Sequence, residues 1–438
     1  MLDAQYPSRL RLLRHRVLAV SLVLGWVLQA CAGPTEAPPT VTPLPPSATA
    51  SASPSPTASP MASPTPLPAV IGPAYRPGFN PLTGLPVEDL TTLEQAPLLV
   101  SVTNFPVSAR PQSGLSLASI VWEISIGEGM SRFLAVFYGD YLAQLERILA
   151  EHPLDNPYGY VIAPIRSGRV VYEDIKVLFP DATLITRGAS AEVRPQLSNR
   201  VGVFAANSQD VNSAGLTLDD LLTLPVLESS PQEHAGLLFT RRPPAGGTPA
   251  ASLRVIYNRY DHVGWTYDAA RTVYLRSQDK ADGTGALFPA IDRLTGEQLA
   301  FENVLIVFAN HHFENVAGTI LEIDLLKQSG LAGWLFRDGI QVPVRVSTHQ
   351  GQLSLQTEAG LPVGLKPGQT FIEVVSLQSS WDDEAKLLRF HSPALPTLTP
   401  APTFTPTVTA TREATPTTTE EPSATPEPTA VEEPSPTP

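Results

Sequence analysis

The sequence predicts a secreted chain with two folded domains, an α/β (α+β) domain in residues 71–240 and a smaller, mainly antiparallel β domain in residues 241–390. Three observations carry that expectation. The N-terminus is an apolar leader that ends in a lone cysteine; proline-rich tracts without apolar periodicity occupy both ends; and the stretch between them mixes helical and strand patterns first, then runs almost wholly to strands.

Residues 1–30 have the layout of a signal peptide: Arg9, Arg11, Arg14 and Arg16 precede the apolar run VLAVSLVLGWVLQA at 17–30. That run is shorter than the roughly 20 apolar residues a permanent bilayer-spanning helix needs. It closes on LQAC, a lipobox, whose Cys31 is the single cysteine of the chain and so has no disulfide or metal-site companion. Lipidation of that thiol is expected. Each buried methylene stabilises membrane attachment by about 0.8 kcal/mol, so two or more acyl chains hold the chain at the outer face of the cell membrane.

Residues 31–70 follow as a Pro/Ser/Thr-rich linker, with 12 prolines between positions 32 and 70. Such a segment buries too little apolar surface to fold and stays extended. Residues 391–438 repeat that chemistry with 12 prolines and 14 threonines, and a disordered tail is expected.

In the first domain, APLLVSVTN, SIVWEISI and MSRFLAVFY read as strands, the last two separated by Gly127, Glu128 and Gly129. SGRVVYEDIKVLF reads as a helix with Val171, Ile175, Leu178 and Phe179 on one face, DATLITRG as a strand, and TLDDLLTLP as a short helix. A composition break at 240–252, TRRPPAGGTPAAS, marks the domain boundary. Beyond it SLRVIYN, VGWTYD, TVYLRS, ENVLIVFAN, GWLFRDGIQVPVRVS and TFIEVVSL alternate or run apolar, and Asp338-Gly339 signals a hairpin turn.

The net charge of -13 argues against nucleic acid, which calls for clustered positive charge. No Gly-rich phosphate loop and no G-x-S-x-G elbow is present, so no cofactor is expected. A metal is not expected either: His311 and His312 are adjacent, their side chains fall on opposite faces of a strand, and no third ligand is spaced nearby.

Two stretches gather polar groups at strand and helix ends. In the first, Arg110, Gln112 and Ser113 sit in a loop after a strand, with Glu123 and Arg132 on the hairpin that follows. If all of 127–129 is loop, Glu123 and Arg132 point to opposite faces; a two-residue turn places them on one face. Glu123 or Glu128 could serve as acid or base, whereas a glutamate beside an arginine on a hairpin is usually a structural ion pair. In the second, PIRSGR, Ser167 is placed to cap the following helix, with Arg166 and Arg169 beside it as anion-binding groups.

Read together, NPLTGLP, TNFPVSARPQSGLSLASIVWE, GMSRFLAVFY and APIRSGR resemble the N-terminal domain of the YerB-type lipoprotein family, a two-domain family of unknown function. WTYDAARTVYLRS, the TGEQLAFENVLIVF segment, LFRDG and LKPGQTFIEVV resemble its C-terminal domain. The resemblance implies a lipid-anchored extracytoplasmic protein with no established reaction. As family-typical residues it brings Asn104, Arg110, Pro111, Gln112, Ser113, Gly114, Glu123, Arg132, Arg166, Ser167 and Arg169. The chain departs from the pattern at Ala290-Ile291-Asp292, where relatives often show His-x-Asp, and at RGASAE, where they often show Gly-Gly-Ser-Pro. A mechanism needing that histidine would fail here.

The expected function is therefore a membrane-anchored binding or scaffolding module for an anionic cell-envelope component or a partner protein. An envelope hydrolase using Glu123 or Glu128 is the second reading, and two carboxylates about 5 to 9 Å apart in an open cleft would favour it.

Overall fold

Two apolar runs from the second half of the sequence explain the architecture. VLIVF at 304–308 and FIEVV at 371–375 are apolar at nearly every position, a pattern that calls for cover on both faces of a sheet. In the computed structural model, which describes residues 75–397 except 128, 155, 328–329 and 350, both runs lie inside one large mixed sheet. Strand Thr370–Ser376 pairs in parallel with Asn303–Ala309 on one side and with Ile120–Ser125 on the other. The leader, Cys31, the linker and positions 398–438 of the tail lie outside the described residues.

Across this eleven-stranded sheet the order is Gln352–Gln356, Ile340–His349, Leu331–Arg337, Asn303–Ala309, Thr370–Ser376, Ile120–Ser125, Ser131–Phe137, Leu98–Thr103, Thr183–Thr186 and Arg200–Gly202. The short strand Thr248–Pro249 pairs with Ile340–His349. Seven further strands form a second sheet around the hairpin of Ser252–Asn258 and Asp261–Asp268, continued by Val273–Asp279.

The two expected domains thus share a sheet. The prolines and glycines of 240–252 interrupt the local elements, but hydrogen bonding between Ile120–Ser125 and Thr370–Ser376 spans the break. The fold expectation holds in its coarser form: the described residues are mostly β in mixed sheets, and their three α-helices, Tyr141–Glu151, Val171–Lys176 and Leu218–Thr223, all fall within 71–240. Tyr141–Glu151 was not anticipated, and none of the described helices is long and apolar enough to cross a membrane.

Each sheet face has its own core. On one, Trp122, Ile124, Leu134 and Leu184 pack with Val171, Ile175, Leu178 and Phe179 from the helix that the spacing predicted. On the other, Val121, Phe133, Ala135 and Phe137 meet Val255, Val263, Trp265 and Tyr274 of the second sheet. The Asp338-Gly339 turn forms as expected, with both residues at positive φ (52° and 74°) between Leu331–Arg337 and Ile340–His349.

Candidate functional site

The hairpin that opened two alternatives resolves by register. Ser125 pairs with Ser131, and Ile126 N bonds to the Met130 carbonyl; Glu123 then stands opposite Phe133, and Arg132 opposite Ile124. Adjacent strand positions face opposite ways, so Glu123 points between the two sheets and Arg132 to the helix-covered face.

Between the sheets Glu123 is fully buried in a charged cluster. Its Oε2 receives Arg276 Nη2 at 2.8 Å, and its Oε1 receives Ser131 Oγ at 2.6 Å and Asn104 Nδ2 at 3.2 Å. Arg276 also lies over the rings of Phe133 and Phe371, 5.1 and 5.4 Å from their centroids. Glu373 is the direct parallel-register neighbour of Glu123, and its carboxyl oxygens accept from Tyr257 OH at 2.8 Å and Trp265 Nε1 at 3.0 Å. Asp261 reaches Ser131 Oγ at 2.9 Å.

One serine hydroxyl has a single proton, and both Glu123 and Asp261 lie within hydrogen-bond distance of it. If Ser131 donates to Glu123, the second contact requires a proton on Asp261. The electrostatics agree: burial first, then the negative Glu123, push the Asp261 and Glu373 carboxyls far above the usual range. The cluster therefore holds one firm ion pair, Glu123–Arg276, and two carboxyls that burial keeps protonated.

The loop expected to hold a ligand is spent on the same network. Arg110 Nε donates to the Asn104 carbonyl and to Asn104 Oδ1 at 3.1 and 3.0 Å, and its Nη1 donates to the Asp279 carbonyl at 2.7 Å. Gln112 is buried, with Nε2 donating to the Thr103 carbonyl and to Asn104 Oδ1. Ser113 Oγ donates to the Val161 carbonyl at 3.0 Å. Asp292, at the end of the segment that departs from the family pattern, accepts the backbone N–H groups of Gly114 and Ser116, both at 2.8 Å. These residues fasten the loop; none presents a free polar head to solvent. Glu128 lies outside the described residues. Glu123, closed between sheets on an arginine, does not sit in an open cleft.

On the opposite face Arg132 lies near Arg166 and Arg169, and Arg187 stands beside Arg166. Arg132 is 5% exposed, and its Nη1 donates to the Ser167 carbonyl at 2.7 Å, while its Nε has no hydrogen-bond partner. Arg166 and Arg187 each place Nη1 3.0 Å from the Val211 carbonyl, and Arg169 donates to the Gly168 carbonyl. Among the described residues no carboxylate lies within 4.0 Å of any of these four guanidinium groups. Burial above all, with the positive Arg169 and Arg166 adding to it against Tyr172, lowers the Arg132 pKa to about 10. Thr186 Oγ1, buried at the end of Thr183–Thr186, also lacks a partner.

Ser167 does not cap a helix. The segment stays extended, Arg166 N bonding to the Ser101 carbonyl and Gly168 N to the Gly188 carbonyl, so the helix starts later with Val170 as its N-cap and no side-chain cap. Strand pairing took the residues the cap reading had assigned to a helix start. Ser167 serves instead through its carbonyl, which also accepts from Ser101 Oγ at 3.3 Å.

Sequence reasoning missed Arg187 and Thr186, whose only signal was their place at a strand end. It also missed a convergence away from both regions: His312, Glu314 and Glu322 bring their ligand atoms within 4.8 Å of one another. Beside the arginines, across the 210–212 segment, lies a cleft of about 410 Å³ bordered by Ser113, Tyr158, Tyr160, Asp210, Asn212 and Arg293.

The profile for the N-terminal domain of the protein of unknown function DUF3048 matches residues 82–218, and the profile for its C-terminal domain matches residues 253–372. The chain is 29% identical over 315 residues to "Putative lipoprotein YerB" of Bacillus subtilis (strain 168), covering 67% of this chain and 85% of that protein. It is also similar to the crystal structure of the YerB protein from Bacillus subtilis, with a TM-score of 0.53 at 27% identity over 68% of this chain and 96% of that one.

Proposed function

The chain belongs to the two-domain DUF3048 family of YerB-type lipoproteins, and from that premise we propose that it is an extracytoplasmic binding module for an anionic component of the cell envelope. The lipobox at Cys31 tethers it to the membrane, and the linker to residue 70 sets the folded body away from the surface.

One observation carries the reading: four arginines gather, Arg132 among them nearly buried, and among the described residues no carboxylate within 4.0 Å balances them. Placing like charges together and desolvating one of them is unfavourable unless a counter-charge is supplied. A phosphate or carboxylate group supplies it, and guanidinium forks bind both through paired charge-assisted hydrogen bonds. Arg132 Nε and Thr186 Oγ1 are the free donors such a group would meet deepest in the site. The family-typical residues divide accordingly: Arg132, Arg166 and Arg169 would surround the ligand, whereas Arg110, Gln112, Ser113 and Glu123 hold the scaffold.

The test is co-sedimentation of the full-length chain with isolated envelope material across a salt series. Exchanging Arg166, Arg169 and Arg187 for alanine together should lower retention at least tenfold and flatten its dependence on salt. Retention unaltered in a folded triple variant would remove the basis for the reading.

A further inference from the structure

His311–Phe313 and Leu321–Ile323 form a two-stranded sheet in which His312 stands directly opposite Glu322. Glu314 follows His312 by two positions, and its Oε1 lies 2.8 Å from His312 Nε2. Three side chains from two strands thus converge, with all three ligand atoms within 4.8 Å of one another. The other imidazole nitrogen, Nδ1, faces Asp324 Oδ2 at 3.8 Å, and that carboxylate is held by Asn310 Nδ2 at 2.8 Å. We propose that His312, Glu314 and Glu322 bind a divalent transition cation, Zn²⁺ foremost, with Asp324 orienting the imidazole from behind.

The donor set fits that class of ion. One imidazole and two carboxylates suit borderline cations such as Zn²⁺ and leave a coordination position for water or a ligand. At metal–ligand distances of about 2.1 Å, tetrahedral ligands stand roughly 3.4 Å apart, so the three groups close on the ion by side-chain adjustment alone. His312 and Glu314 are 39% and 46% exposed along their side chains, which leaves them room for it. A carboxylate behind a metal-binding imidazole is the usual means of fixing its tautomer and ring plane; His312 Nδ1 has no hydrogen-bond partner, and Asp324 at 3.8 Å is the carboxylate near enough to become one when the ion draws the ring into place.

Charge points the same way, independently of the donor geometry. Asp174, Glu322 and Asp324 surround Lys327 Nζ at 3.8, 3.9 and 3.5 Å, and Glu314 lies beside them on His312. One ammonium faces four carboxylates there. Burial, and next to it the carboxylates of Glu322 and Asp324 working against Lys327, raise Asp174 to about 6. A dication at His312 relieves this excess and frees Lys327 for Asp174 and Asp324. His311, on the other face of its strand, is buried against Phe390 and takes no part.

The experiment is titration calorimetry of the full-length chain, without an affinity tag and stripped by chelator, with Zn²⁺ and with Co²⁺, whose visible spectrum reports nitrogen and oxygen coordination. One equivalent should bind with a micromolar or tighter Kd. H312A, and E314Q combined with E322Q, should each weaken it at least tenfold with an unchanged fold by circular dichroism, since all three groups are partly exposed. D324N should weaken it by a smaller factor. No binding below about 1 mM, or one equivalent bound equally well by H312A/E314Q/E322Q, would overturn the proposal.

Discussion

The two faces of strand pair Ile120–Ser125 and Ser131–Phe137 carry opposite solutions to the same problem. Between the sheets, Glu123 and Arg276 meet at 2.8 Å with no exposure on either side chain, and the Asp261 and Glu373 carboxyls beside them are hydrogen-bonded. On the other face, Arg132 is almost as deeply buried, and its charged neighbours are Arg169 and Arg166, with Tyr172 and the Ser167 carbonyl beside it. Compensated charge marks a scaffold; uncompensated charge of one sign is the feature on which the proposed anion site rests. Residue type alone would have grouped Glu123 with Arg132, which lie nine positions apart on one hairpin.

Cutting the internal pair should have the largest effect. R276A leaves Glu123 buried without its partner and should cost about 3 to 5 kcal/mol, read from urea unfolding. A loss below about 1 kcal/mol would mean the inter-sheet cluster is not the internal clamp described above. Next in size is a pH effect. Asp261 and Glu373 are both raised to about 8, above their unfolded values near 4, so the stability they contribute is complete at low pH and lost as pH rises through 8. His234 and His311 are lowered to about 4 by burial, so their contribution is lost in the opposite sense, as pH falls from 6.5 towards 4. Between pH 6.5 and 8 only the carboxyls act, and stability should fall by up to about 2 kcal/mol per carboxyl. E373Q, which mimics the protonated acid, should flatten that slope by roughly half; a slope unchanged in E373Q would assign the titration elsewhere. The smallest effect belongs to the open face: R166A/R169A/R187A should alter unfolding free energy by less than about 1 kcal/mol, towards greater stability, because it removes like-charge repulsion. A large loss there would turn the arginines into scaffold and erase the contrast.

Much of this was legible before any coordinates. The strands Leu98–Thr103, Ile120–Ser125, Ser131–Phe137 and Thr183–Thr186 fall where alternation and apolar runs put them, and the helix Val171–Lys176 buries the predicted face. Asp338-Gly339 turned the chain because both tolerate positive φ. The candidate site was half legible. Arg132, Arg166 and Arg169 were identified as polar groups at element ends, but so were Arg110 and Gln112, which are consumed by Asn104, Thr103 and Asp279. No local pattern distinguishes an arginine that holds a loop from one that awaits an anion, because the distinction lies in which distant residue stands opposite.

What could be read from the chain alone is local: the periods that make strands and the residues that make turns. Tertiary structure alone decided that Thr370–Ser376 lies beside Ile120–Ser125, that Glu123 finds its arginine 153 residues away, and that Glu322 faces His312. Strand pairing between remote segments is chosen by the burial of whole faces at once, and that is a property of the assembled sheet which no single stretch of residues contains.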